Sequence, residues 1–456
     1  MISKWHWLLM QFSRRLWVRA ALLALLGVAT ALLATLAESL LPWEMPFSVE
    51  ADAVDRILDI LASSMLAVTT FSLSVMVSAY GAATSNVTPR ATRLLVQDPT
   101  TQNVLAVFLG SFLFSLVGIV ALGTGSYGER GRAVLFVVTI AVIGIIVITM
   151  LRWIDYLSGL GRVGETTERV EEATSRAIAA RLADPYLGGR PAPAGPRSAS
   201  VTARPVFPPE TGYIQHVDVA ALSDIAEARG LMLEVITLPG GFVHPGRALL
   251  RVEGFSATGL AEEGDAWLET CDALRGCFSL AQRRSFDQDP RFGLCVMAEI
   301  ASRALSPAIN DHGTAIDVLG RSVRLLAPWA TAPERATEEV DFPRVLVPGI
   351  AVADLFADIF PPIARDGAGH LEVHIRLQKA LGALYATGDE AFRACARAQS
   401  REAMDRAEAG LALEADREVL RALRLREGLA DPEADASRTP TGAGSDLGAS
   451  PGTGGS

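Results

Sequence analysis

Four long apolar runs fill the first third of the chain, at about 18–37, 57–80, 104–122 and 133–151. Each reaches the roughly 20 apolar residues that a helix needs to cross a bilayer, where every backbone N–H and C=O must be paired within the segment. The fold class expected is therefore membrane α-helical, with four transmembrane helices in residues 1–152, followed by a cytoplasmic α+β domain that is mostly helical at its C-terminal end. The first run is too long for the apolar part of a cleavable signal. No small-residue cleavage site follows it before Pro42-Trp43.

Orientation follows from the arginines and lysines of the short flanks. Lys4, Arg14 and Arg15 precede the first run, Arg90 and Arg93 separate the second from the third, and Arg152 and Arg162 follow the fourth. The loop after the first run is acidic, with Glu38, Glu44, Glu50, Asp52 and Asp55 against Arg56. Arg130 and Arg132 oppose the trend, but the balance places both termini in the cytoplasm. Trp5, Trp7 and Trp17 then form an inner aromatic belt, with Trp43 near the outer surface.

The second run is unusual in carrying a hydroxyl stripe. Ser63, Ala67, Thr70, Ser74 and Ser78 are spaced 4, 3, 4 and 4 apart and share one helix face. The third run offers Ser111, Ser115 and Gly118. Small and hydroxyl residues let spans approach closely and hydrogen-bond in lipid. The stripe is therefore expected to pack on the third run or on a copy of itself, or to line a polar path through a homo-oligomer. No Asp, Glu, Lys or His lies deep in any run, and Asp59 sits near an end, as a mouth charge or a solvated flank. Past Pro89, Leu94, Leu95 and Val96 beside Arg90 and Arg93 suit a short interfacial helix with its arginines at the headgroups.

The remainder is acidic: residues 1–152 have a net charge of +2, and the rest −12. Such a domain lacks the basic footprint that nucleic acid requires. Residues 153–187 read as a helical connector. Gly159, Gly161 and Gly164 match a dinucleotide fingerprint formally, but a membrane span precedes them where a strand is needed, which excludes that use. A Pro/Gly-rich linker is expected at 188–210, a small α+β unit at 211–256 with strands near 213–217, 232–238 and 248–252, and a helical cytoplasmic domain at 257–430. The "PGGFVHPGRALLRV" hairpin is barrel-sandwich-like, but no lysine sits at its tip to carry a lipoyl or biotinyl group. Residues 431–456 have the composition of a disordered tail.

Between 283 and 312 the polar residues Arg283, Arg284, Asp287, Asp289, Asn310, Asp311 and His312 gather in sequence. They are expected to cap helices and to form a buried ionic network, or else to hold a small ligand or ion. Asp289 precedes one helix, and Asn310 or Asp311 is available to cap the next. His370 and His374 are i, i+4 on one predicted helix, but "GHLEVHIRL" matches neither zinc-helix motif, so no metal is assigned. Cys271, Cys277, Cys295 and Cys395 show no ligand spacing and read as buried thiols. No cofactor is expected.

The strings "PRATRLLVQDPTTQNVLAVFLGSFLFSL" and "RRSFDQDPRFGLCVMAEIASRALSPAINDHGTA", set behind a four-span start, resemble the bacterial family of predicted membrane proteins called domain of unknown function 2254. The resemblance runs over roughly residues 10–425. It implies a bacterial inner (plasma) membrane location and this domain order, and it supplies no activity or catalytic residues. Two functions are expected to compete: an oligomeric channel or transport-like protein with a regulatory cytoplasmic domain, and a membrane-anchored sensor or scaffold. No nucleophile–base pair or phosphate loop supports an enzyme.

Overall fold

The computed structural model describes residues 51–96, 98–124, 129–193, 203–255, 260–332 and 340–430, with isolated positions between 18 and 29. Most of the first expected span, 18–37, falls outside the described residues, as does the whole tail, 431–456.

Among the described residues three helices are long and apolar enough to cross a membrane: α1 (Ala51–Asn86), α3 (Pro99–Gly123) and α4 (Glu129–Gly159). The short helix α2 (Pro89–Val96) links the first two. Val54, Leu58, Leu61, Met65 and Met76 recur at helical spacing on one face of α1 and are buried. That face meets the small residues of α3. A β-carbon added at Gly118 would stand 2.9 Å from Leu58 Cδ1, so the Leu58 side chain fills the space that the missing side chain leaves. Helix α4 closes the group, and its Trp153 indole donates to Ser72 Oγ at 3.0 Å.

Helix α5 (Val163–Ala183) leaves the membrane group after a turn at Gly161, whose φ of +83° favours glycine. A β-carbon there would lie 3.2 Å from the Ala79 carbonyl oxygen. One glycine of the apparent nucleotide fingerprint, Gly161, thus sets the turn before α5 against α1.

The α+β unit draws on more of the chain than its sequence signature. Strands β1 (Gly189–Pro191) and β2 (Arg204–Val206) come from the segment expected as linker. With β4 (Met232–Val235), β6 (Leu250–Glu253) and β8 (Phe342–Val347) they form one sheet in the order β1-β8-β4-β6-β2. Strand β8, from the region expected to be helical, runs parallel to both β1 and β4. A second sheet, β5-β3-β7, pairs β3 (Gly212–Val217) with β5 (Phe242–Val243) and β7 (Phe278–Ala281). The reason is burial: Val345 and Val347 are fully covered among Leu233, Val235, Leu250 and Val252, and a strand of such residues needs partners on both edges. Helices α6 (Val219–Arg229) and α7 (Leu260–Gly276) accompany these sheets.

A larger core joins α5 to α8 (Pro290–Ala304), α9 (His312–Ala330), α10 (Val352–Asp366), α11 (Leu371–Thr387) and α12 (Glu390–Gly410). Helix α13 (Glu414–Arg426) packs outside it. Val87 and Ala91 of the membrane-side connection are fully buried members of that same core.

Candidate functional site

The hydroxyl stripe faces outward. Ser63, Thr70, Ser74 and Ser78 are all exposed, whereas Ser111 and Ser115 are buried inside the helix group. The expected packing of the stripe on α3 is therefore replaced by packing of the opposite face of α1. Large apolar residues fill the groove beside Gly118 better than a second row of small ones would. Ser63 donates to the Asp59 carbonyl at 2.9 Å, and Thr70 to the Leu66 and Ala67 carbonyls. Ser115 likewise donates to the Ser111 carbonyl. Such back-bonding lets a hydroxyl sit in an apolar medium while its lone pairs stay available to an outside donor.

At the other end of these helices two polar junctions lock the membrane group to the larger core. In the first, Asp98 caps α3, accepting from Thr101 N at 3.2 Å, and Tyr156 of α4 donates to Asp98 Oδ2 at 2.7 Å. Arg169 of α5 donates to Tyr156 Oη at 3.1 Å, stands 3.6 Å from Asp98 Oδ2 and pairs with Glu165. One carboxylate thus ties three helices together.

In the second junction, Glu299 of α8 receives Thr88 Oγ1 at 3.0 Å and Arg90 at 2.7 Å. Arg93 donates to the Arg284 carbonyl at 3.0 Å. Both arginines expected at lipid headgroups also bond to protein, because Ala91 joins the larger core and sets α2 against α8, while the Arg90 side chain remains 58% exposed.

The polar cluster of the sequence splits between the two ends of α8, about 22 Å apart at 1.5 Å per residue. At one end, Arg284 grips Asp289 through Nε at 2.7 Å and Nη2 at 2.9 Å, while Asp289 also caps α8 through Phe292 N at 3.1 Å. Burial pushes the Asp289 carboxyl above the usual range, with Arg284 pulling the other way. Arg284 also reaches Cys295 Sγ at 3.7 Å, and burial lifts that thiol to about 11, as expected of an inert cysteine. Arg283 takes part through its carbonyl, which accepts from Gln215, and Asp287 lies beside this end. At the other end, Asp311 caps α9 through Thr314 N at 3.0 Å, and Asn310, with φ of +53°, contacts the His312 ring at 3.1 Å.

Sequence reasoning missed Arg181 and Gln288. Arg181 is 4% exposed and donates to the Gln288 carbonyl at 3.2 Å, and burial lowers its pKa to about 10. A cue was present in the isolated arginine on the apolar side of α5. Its partner lies more than a hundred residues away, so no local pattern could name it.

His370 proves to be the N-cap of α11 rather than a helical residue, and its ring lies 4.0 Å from that of His312. His374 is fully buried, and desolvation lowers its pKa to about 4. Among the described residues no three His, Cys, Asp or Glu side chains gather as metal ligands would. The four cysteines are free.

His374 makes stability acid-sensitive. Its folded pKa lies below the unfolded value near 6.5, so its contribution is complete above that value and is lost as pH falls towards about 4. The loss amounts to about 3 kcal/mol. Thermal melts of wild type and His374→Gln between pH 7 and 4 check this: the variant's curve is expected to be flatter, and parallel curves would refute it.

A family model described as a predicted membrane protein, DUF2254, matches residues 13–383. The chain belongs to this family. Among curated proteins, the DUF2254 chain is similar to the uncharacterized protein Rv1290c of Mycobacterium tuberculosis (strain H37Rv) and to the uncharacterized protein Mb1321c of Mycobacterium bovis. Each is 26% identical over 272 residues, covering 58% of this chain. The chain spans about half the length of these relatives, 50% in both cases. No solved structure matches. As a DUF2254 member it is a membrane protein, which agrees with its three long apolar helices.

Proposed function

We propose that this DUF2254 protein is a homo-oligomeric channel or transport-like protein of a bacterial inner membrane, with four spans, both termini cytoplasmic and a regulatory cytoplasmic domain. On this reading it catalyses no reaction. The observation that carries it is the outward hydroxyl face of α1: a row of Ser63, Thr70, Ser74 and Ser78 left at the surface by a helix whose other side is fully packed. Copies meeting at this face would place a ladder of hydroxyls along their common axis, able to replace water around a passing solute.

The junctions support the regulatory part. Val87 and Ala91 share a core with α8 and α9, and Asp98 links α3, α4 and α5, so a shift of the cytoplasmic helices is transmitted to α1 and α3. A sensor or scaffold merely anchored by its spans would not need that continuity.

Purified protein in lipid vesicles is expected to pass small ions or polar solutes, and Ser74→Leu to lower the flux about tenfold or more by placing an apolar side chain in the path. Vesicles that stay tight to a broad panel of ions and solutes would end the proposal.

A further inference from the structure

Two helices of the larger core begin at the same place. His312 opens α9 and His370 is the N-cap of α11, and their rings meet with centroids 4.0 Å apart and planes tilted by 44°. That is closer than the roughly 4.5–7 Å of most aromatic pairs. Both rings are half-buried, so protons reach them from solvent. His312 Nε2 also lies 3.1 Å from Asn310 Oδ1, in a turn that holds Asn310 at a φ of +53°. The proposed function uses neither ring.

We infer that the His312–His370 contact is a proton-operated latch between α9 and α11, closed while at least one ring is neutral and released when both are charged. Two imidazolium cations at that separation repel each other. Each would also sit at the positive end of a helix, where a cation is disfavoured. Histidine is the side chain whose charge ordinarily changes between pH 5 and 8, so the device works in a range that cells reach.

The neighbouring charges do not cancel this repulsion. Asp311 adjoins His312, but its oxygens are taken by Thr314 N at 3.0 Å and Thr314 Oγ1 at 2.6 Å as it caps α9. Glu372 is exposed and attracts a proton to His370 only from the solvent side. At the end of α10, Arg365 and Asp366 pair with each other at 2.7 Å. From α12, Arg406 adds positive charge near His374, one turn along α11. Burial and the neighbouring His312 hold the His370 pKa below its ordinary 6.5, with Glu372 pulling the other way. A lowered folded pKa means that the contact contributes fully above that ordinary value and is lost as pH falls below it.

Release bears on both helices. Leu371 and Ile375, at the start of α11, pack on Met404, Ala407, Leu411 and Leu420, a small cluster apart from the larger core. Helix α9 is gripped by α5 through Glu171, which pairs with Arg324 at 2.7 Å and with Arg321. Helix α5 in turn reaches Asp98 through Arg169. The latch itself needs no transport, whereas its use as a gate rests on the proposed channel.

Hydrogen exchange of the full-length protein in detergent, corrected for the intrinsic pH dependence of exchange, provides the test. Peptides covering 310–318 and 370–377 are expected to open about tenfold more at pH 5.5 than at pH 7.5. A peptide covering 392–400, which carries the core residues Phe392 and Ala396, should not change. His312→Gln and His370→Gln should each abolish the step. His374→Gln should keep it, which separates the latch from the buried histidine. His312→Lys, a fixed charge against His370, should give at pH 7.5 the opening that wild type shows at pH 5.5. Equal wild-type protection at the two pH values would overturn the inference, as would a step that survives both His312→Gln and His370→Gln. Flux distinguishes this from the functional proposal. Vesicles that pass nothing while the step persists remove the channel and leave the latch, and flux with pH-independent exchange does the reverse.

Discussion

Replacing Asp289 by alanine is expected to cost about 3–5 kcal/mol, the penalty of breaking a buried pair and stranding its partner. Three effects add at one carboxylate. Asp289 is 3% exposed and holds the Arg284 guanidinium at 2.7 and 2.9 Å. It caps α8 through Phe292 N. It also supplies negative charge near Arg181, which is itself buried. Without it, Arg284 loses its carboxylate partner, and the buried Arg181 keeps Asp184 but loses its second counter-charge. Thermal melting of the detergent-solubilised protein should show a fall of about 10 °C or more. Asp289→Asn, which retains a cap acceptor and the shape but not the charge, should fall in between. A drop under about 1 kcal/mol for the alanine variant would mean that the pair is solvated and cheap to lose. The change should also reach the membrane junction, because the Arg284 carbonyl that holds Arg93 loses its anchor. Limited proteolysis near 89–98 is expected to quicken in the variant.

A methyl group at Gly293 is expected to be nearly as damaging. A β-carbon there would stand 2.0 Å from Thr174 Oγ1 and 2.6 Å from Thr174 Cβ, where α8 crosses α5. Both helices are held elsewhere, by Glu171 to Arg321 on one side and by Phe292, Val296 and Ile300 in the core on the other. Neither can retreat without opening contacts along its length. Overpacking of this kind costs about 1–3 kcal/mol, and the upper end applies where the obstacle is a side chain rooted on a helix. Thr174→Ala combined with Gly293→Ala should recover part of the loss, because the hydroxyl obstacle goes while the β-carbon remains. Equal melting of Gly293→Ala and wild type would show that α5 and α8 can separate freely, which would weaken the mechanical coupling assigned to them.

Much of the organisation was legible in the chain. The apolar runs at 57–80, 104–122 and 133–151 became α1, α3 and α4 because a run of that length and composition has few other ways to pair its backbone. The caps at Asp289 and Asp311 were readable for a local reason, since an N-cap acts on backbone two or three residues away. Strand β8 escaped notice because its partners, β1 and β4, lie far upstream and its flanks are helical. The junction residues Tyr156, Arg169 and Glu299 were equally silent, each paired to a residue 50 or more positions away or to a helix that only packing brings near.

The hydroxyl stripe marks the division. Its existence, its 4-and-3 spacing and its place on a single face follow from the residue order alone, since a helix converts spacing directly into direction. Which way that face turns does not. Helix α1 carries two candidate seams, one of small and hydroxyl residues and one of Val54, Leu58, Leu61 and Met65, and either could have met α3. The choice went to the large apolar side chains, because they fill the space beside Gly118 while the hydroxyls satisfy themselves on their own helix. Periodicity is a property of one helix, whereas orientation is a competition between faces for the same neighbour, and that competition is decided by packing.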